Sequence, residues 1–205
     1  MNLSHRMLDP VFFQSEDVVQ LSKSLLGKFL ATEIEGIRTI GKIVEVEAYD
    51  GTMDKACHAY LNKRTKRTEI MFAQGGHAYI YLCYGIHHLF NIVTAPAGIP
   101  HVILLRGLEP IENIDTMLSR RNMQKLQSRL TAGPGVLSKA MGISTALNGI
   151  NLIAPNSPIW LEDRGLIIAN EDIIAAPRIG VDYAEECALW PWRFYIKDNK
   201  WVSKK

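Results

Sequence analysis

The chain has 205 residues and a mass of 23.0 kDa, the size of one ordinary domain. With 47% hydrophobic and 21% charged residues it is not a disordered or low-complexity chain, and a formal net charge of +2 neither requires nor forbids a polyanionic partner. Three cysteines, Cys57, Cys83 and Cys187, cannot all pair and show no CxxC spacing, so a zinc ribbon or secreted disulfide scaffold is excluded and a reducing, intracellular setting is expected.

The N-terminal stretch Met1-Asn2-Leu3-Ser4-His5-Arg6 lacks a basic region followed by an apolar core, so no signal peptide is expected. No apolar run approaches the roughly 20 residues of a membrane span, so no membrane partner is expected. Ser15 to Gly27 reads as a first helix: Ser15 can cap it, Glu16 and Asp17 suit its positive end, and Val18, Leu21 and Leu25 share a face. Gly27 is placed to close it. Phe29 to Ile34 and Ile37 to Tyr49 read as a hairpin turned at Glu35-Gly36. Along its second strand Val44, Val46 and Ala48 fall on one face and Glu45, Glu47 and Tyr49 on the other, so this strand lines something.

His77 to Tyr84 and His88 to Thr94 form a second strand pair broken at Gly85, and Val102 to Arg106 is a buried β run. Pro110 to Arg120 is predicted helical, with Pro110 near its first position. Ala132-Gly133-Pro134-Gly135 opens a short helix ending near Gly142. Short strands are expected around Pro158 to Leu161, Leu166 to Ala169 and Arg193 to Ile196. The predicted architecture is a single α+β domain over residues 1–205, with a curved, mainly antiparallel, open barrel-like sheet and surrounding helices.

Several features can carry chemistry. Glu47 and Tyr49 suit a general base beside a tyrosine that stacks on a ligand, although a solvated strand face explains them equally well. Tyr79 and Tyr81 at period two suit packing, whereas Tyr84, directly before Gly85, suits a wedge pushed into a base stack. Asn62 to Thr68 holds Lys63, Arg64, Lys66 and Arg67 with Thr65 among them, matching either a solvated loop or a set of phosphate contacts. His58, His77, His87, His88 and His101 fall in no metal-ligand spacing, so no metal is expected, and His58 suits a pocket hydrogen-bonding group or a core residue. Gly133-Pro134-Gly135 lacks the ending of a P-loop but opens a helix whose N-terminus can hold one phosphate.

Taken in order, these segments resemble the alkyladenine (3-methyladenine) DNA glycosylase family of base-excision repair enzymes. The likeness starts at Leu25-Leu26-Gly27-Lys28 and runs through Ile43 to Tyr49, His58, Thr65 to Phe72, Tyr79-Ile80-Tyr81 with Tyr84-Gly85, and Asn91. It continues through Leu104-Leu105-Arg106 with Glu109-Pro110, Gly133-Pro134, Pro177 to Tyr183 and Arg193-Phe194-Tyr195, and so covers nearly the whole chain. The resemblance implies a monomeric, monofunctional hydrolase with no metal or organic cofactor. Its partner would be double-stranded DNA holding a damaged purine such as 3-methyladenine, 7-methylguanine, hypoxanthine or etheno-adenine. It would act intracellularly, in the cytoplasm with the nucleoid of a bacterium or in a eukaryotic nucleus. By match, Glu47 is the base that activates water and Arg106 assists it. Tyr49, His58 and Tyr81 hold the flipped base, Asn91 crowds its edge, and Tyr84 is the wedge. Lys63, Arg64, Thr65 and Arg67 would contact phosphates.

Two other readings are open at this level. Glu45 and Glu47 could be the acid/base pair of a sugar hydrolase, but two carboxylates on one strand face approach from the same side. A non-catalytic, damage-sensing nucleic-acid module could use the tyrosines for stacking alone.

Overall fold

The computed structural model describes residues 6–204. Met1 to His5, part of the stretch read above for a leader, lie outside the described residues. The hairpin is formed by β2 (Phe29–Ile34) and β3 (Ile37–Tyr49), and both turn residues take the left-handed conformation, Glu35 at φ 56° and Gly36 at φ 72°. That pair of positive φ values defines a tight turn whose twist matches the strands it joins. The first helix, α1, is shorter than its pattern predicted, Val18–Leu25. Asp17 rather than Ser15 caps it, accepting from the Gln20 N–H at 2.8 Å. Gly27 follows at φ 84°, and a Cβ there would stand 2.9 Å from Ile168 Cγ1, so both the backbone and the packing require glycine.

Among the described residues nine antiparallel strands make one open sheet. Besides β2 and β3 these are β1 (Arg6–Met7), β4 (Ala78–Cys83), β5 (His87–Thr94), β6 (His101–Glu112), β7 (Ile159–Asp163), β8 (Ile173–Ala176) and β9 (Arg193–Ile196). Their order is β1-β7-β2-β3-β6-β5-β4, with β9 joining β3 beyond the end of β2 and carrying β8. Strand β3, 13 residues long, is therefore central, paired along one side by β6 and along the other by β2 and then β9. On the inner face Ile43, Val44, Val46 and Ala48 pack with Leu21 and Leu25 of α1, Met117 of α2 (Ile114–Arg120) and Leu137 and Met141 of α3 (Pro134–Met141). Each of the buried Val, Leu, Ile and Met side chains among these stabilises the fold by about 1.5–3 kcal/mol. The opposite face, carrying Glu45, Glu47 and Tyr49, is covered by loops and short 3-10 helices, Glu69–Phe72 and Asp182–Leu189 among them, and that is where the site forms.

Two expected elements are corrected. Pro110 lies not in a helix but in β6, opposite Gly41 at a register irregularity, the kind of place in a sheet that tolerates a residue without an N–H. The helix begins only at Ile114, after Asn113 turns the chain at φ 55°. Leu166 to Ala169 is not a strand. Ile168 seats on Gly27 while Ile167 is exposed, and β8 forms seven residues later, against β9. Among the described residues no helix is long and apolar enough to cross a membrane.

Candidate active site

A cavity of about 460 Å³ opens on the loop-covered face of the sheet, and Tyr49, His58, Tyr81, Tyr84, Asn91 and Arg106 all line it. These six come from β3, β4, β5, β6, the turn after β4 and the loop after β3, so the sheet converges what the sequence scatters. A volume of this size is that of a small-molecule pocket. Gly133 to Val136, at the start of α3, and Ile179 to Val181 complete the walls.

Glu47 is fully buried directly behind that wall. Its Oε2 accepts from the Tyr49 hydroxyl at 2.7 Å and from Arg106 Nη1 at 3.3 Å, and its Oε1 accepts from the Ile179 N–H at 2.8 Å. A carboxylate offers about four acceptor positions, and these three donors, among the described residues, take three of them. A register shift between β3 and β6 sets Arg106 out of pairing, and this bulge aims its guanidinium at the carboxylates of β3.

Glu45 has a different job. Its carboxylate accepts from Arg193 Nη1 at 2.9 Å, the Ser203 N–H at 2.6 Å and the Ser203 hydroxyl at 2.9 Å, with Arg106 Nε at 3.4 Å. The carbonyl of Trp201 presses so closely on Gly107 that a Cβ there would stand 2.7 Å from it. Glu45 thus anchors the segment around Trp201 to Ser203, whereas the partners of Glu47 include the cavity-lining Tyr49 and Ile179, and this difference speaks against the two as the acid/base pair of a sugar hydrolase.

The aromatic wall is held from behind. His58 Nδ1 lies 2.7 Å from the Tyr79 hydroxyl, and the His58 ring meets Tyr81 edge-on at 4.7 Å between centroids. Arg67 sits over Tyr81, 4.8 Å from the ring centroid, with Nη2 3.4 Å from His58 Nε2. Because a guanidinium can only donate, Nε2 is the acceptor and Nδ1 carries the proton given to Tyr79. Burial first, and then the charge of Arg67, hold His58 down to about 4, against an ordinary 6.5, so the imidazole is neutral at neutral pH. Since unfolded His58 binds its proton at a higher pH than folded His58, this group's contribution to stability is full above about 6.5 and is lost as pH falls towards 4. Removing the repelling charge with Arg67→Ala should raise the His58 titration midpoint without returning it to 6.5, because burial remains. An NMR titration of the ring that shows no rise would contradict the contact.

Burial, followed by the charge of Glu47, raises the Tyr49 hydroxyl well above its usual range, so Tyr49 stays protonated and donates. Burial likewise raises Tyr81. Asn91 is buried, and its Nδ2 donates to the carbonyls of Tyr79 at 3.1 Å and Leu89 at 3.4 Å, which stops the side chain from swinging off the cavity wall. Tyr84 stands at the tip of the β4–β5 hairpin, 88% exposed, with φ 51°.

The basic loop does not line the cavity. Arg64 pairs with Glu69 at 3.1 Å and lies over Phe72, Arg67 is folded onto Tyr81, Thr65 ties the loop through Thr68, and Lys63 and Lys66 stand exposed. Among the described residues no group of three His, Cys, Asp or Glu side chains is placed to hold a metal ion.

Residue-by-residue reading missed the support beneath Tyr49. Arg178, fully buried, bonds Asp54 through both amino groups, the Nη2–Oδ1 contact at 2.8 Å, and also reaches the carbonyls of Ala48 and Cys187. Its guanidinium lies 4.7 Å from the centre of the Tyr49 ring. Nothing in the spacing of Asp54 and Arg178 marks this pair, since 124 positions separate them.

The family model for methylpurine-DNA glycosylase matches residues 11–200 of the chain. The inferred 3-methyladenine DNA glycosylase of Bacillus cereus strain G9842 is 46% identical over 205 residues, a span covering 97% of this chain and 100% of the relative. That of Bacillus mycoides strain KBAB4 is 45% identical over 204 residues, with the same coverage.

Proposed function

The chain belongs to the methylpurine-DNA glycosylase family, and from that premise we propose that it rotates a damaged purine out of duplex DNA into this cavity and hydrolyses its N-glycosidic bond with a water activated by Glu47. The observation that carries the reading is the meeting of a buried, orientated carboxylate with a tyrosine-lined, base-sized cavity beside an exposed hairpin-tip tyrosine.

A base inside the stack cannot be reached, so it must be extruded, and damaged or mispaired bases are the least costly to extrude. Tyr84 fills the gap left in the duplex. The purine stacks against Tyr49 on one side and against His58 and Tyr81 on the other, and electron-poor alkylated purines such as 3-methyladenine and 7-methylguanine gain most from aromatic faces. Hypoxanthine and etheno-adenine fit the same stacked slot. Asn91, fixed by its two main-chain bonds, crowds the edge where guanine carries its amino group and so selects by clash.

At the sugar, the bond from C1′ to the base lengthens and its electron pair leaves with the base. The water oxygen bonds to C1′, and its proton passes to Glu47. Ionised Glu47 also stabilises the positive charge that develops on the sugar, while Arg106 and the Tyr49 hydroxyl hold the carboxylate in place. Among the described residues no lysine lines the cavity, which supports hydrolysis without a Schiff base and without strand cleavage. Lys63, Arg64, Thr65 and Arg67 grip phosphates, and for Arg67 this means leaving its seat on Tyr81, freeing His58 Nε2 for the purine edge.

The wedge supplies the test. With Tyr84→Ala, release of a lesion base from duplex DNA should slow about 5–150-fold, the range of one stacking interaction worth about 1–3 kcal/mol. Release from a single strand, where no gap needs filling, should be unchanged. Equal rates for wild type and variant on the duplex would contradict base extrusion by Tyr84.

A further inference from the structure

The chain's charge is distributed far less evenly than its sum suggests. Between Asp115 and Glu162 no carboxylate occurs, while Arg120, Arg121, Lys125, Arg129 and Lys139 do. The fold gathers part of this run beside the wedge. A groove lined by Ile86, His87, His88, Arg121, Gly135 and Lys139 adjoins the base cavity, with which it shares His87, Gly135 and Val136. Gly135 provides the seat for His87: a Cβ there would stand 2.8 Å from the imidazole.

Arg120 is engaged inside the fold, its Nη1 donating to the Ala140 carbonyl at 3.3 Å and to the Thr39 hydroxyl at 3.4 Å, whereas Arg121, Arg129 and Lys139 are not held in this way. Among the described residues none of Arg121, Arg129 and Lys139 forms an ion pair. Among the described residues the Arg121 side chain donates to the carbonyl of Arg129, at 3.3 Å, and its Nε is buried without a hydrogen-bond partner. Like charges held close together without a carboxylate repel, and the repulsion is relieved when an anion binds. The basic loop contrasts with this: Arg64 is paired with Glu69 and Arg67 packs on Tyr81, over the wall of the cavity that His58 and Tyr81 form.

We infer that Arg121, Arg129 and Lys139 form a second phosphate-gripping bank, which holds the duplex arm lying on the α3 side of the wedge while the basic loop holds the other. The occupant is the phosphodiester backbone of double-stranded DNA, chosen by charge complementarity and by continuity with the wedge and the cavity mouth. This inference rests on the proposed function, since it makes the bank part of the same DNA footprint. Two banks on opposite sides of Tyr84 also explain how a chain of net charge +2 binds a polyanion. The charge is concentrated along the footprint instead of spread over the surface.

Salt dependence of binding tests it. Affinity for an undamaged and a lesion-bearing duplex is measured against salt for wild type, Lys139→Gln and Arg121→Gln/Arg129→Gln/Lys139→Gln. A control, Lys197→Gln/Lys200→Gln, removes two charges outside groove and cavity. Each lost phosphate contact should lower the slope of log affinity against log salt by about 0.9, so the exposed Lys139 variant should lose about 1 and the triple variant about 2–3. The triple variant should bind about tenfold or more weakly near 0.1 M salt, yet release base at an unchanged rate once saturated. On duplexes cut short on one or other side of the lesion, one truncation should abolish the difference between wild type and triple variant. Unchanged slopes in both bank variants, an equal loss in the control, or a difference indifferent to which arm is cut would overturn the bank. Wild type that binds duplex but releases no base from any lesion would defeat the proposed function alone, leaving the slopes to decide the bank. No binding of duplex at all would defeat both.

Discussion

Glu47→Gln is expected to slow single-turnover base release by about 10²–10⁴-fold, the usual worth of a positioned general base, while binding of the lesion duplex stays within a few-fold of wild type. The exchange keeps the shape of the side chain, and a glutamine carbonyl can still accept from the Ile179 N–H. It removes the proton acceptor for the attacking water and the negative charge facing the developing cation. Among the described residues it also leaves Arg106 with Glu45 as its remaining carboxylate neighbour. Near-normal release by the variant would remove Glu47 from the reaction. Wild type that binds lesions and releases nothing would favour a damage-sensing module over an enzyme.

The second large effect is on stability. Asp54→Ala leaves the Arg178 guanidinium, completely buried, without its carboxylate. Breaking a buried pair by removing one partner costs about 3–5 kcal/mol. For a chain of 205 residues that corresponds to a melting temperature lower by roughly 10 °C. Because Arg178 also underlies Tyr49 and anchors the carbonyls of Ala48 and Cys187, base release should fall even below the new melting point. Asp54→Ala/Arg178→Met removes the stranded charge and should recover much of the lost stability, as expected of coupled neighbours. A single variant as stable as wild type, or a double variant that loses the sum of both single losses, would contradict this account of the pair.

What could be read from the sequence was local. The hairpin of Phe29 to Tyr49 is legible because a Glu-Gly turn and strict alternation act within a few residues. The same alternation separates Val44, Val46 and Ala48 from Glu45, Glu47 and Tyr49. The α+β class and the short helix opened at Gly133-Pro134 follow for the same reason. Pro110 misled because its preference for a helix start competes with its tolerance at a strand bulge, and only the partner Gly41, remote in sequence, decides between them. The resemblance named residues that the cavity does bring together, from Tyr49 to Arg106. It took in Arg178 and Arg193 without giving them a role, and did not name Asp54 or Ser203, because these partners meet only once the chain has folded. Glu45 and Glu47, equivalent in the pattern, differ in what the loops lay against them: one meets the segment around Ser203, the other the cavity wall.

The most direct test is base release from duplexes carrying a single hypoxanthine, etheno-adenine, 3-methyladenine or 7-methylguanine, beside an undamaged duplex, in the presence of a chelator. Free modified purine and an abasic site are expected from lesion duplexes, with the strand uncut until alkali is added and the undamaged duplex left intact. Lesion duplexes that are bound while every base stays attached would contradict the proposed hydrolysis.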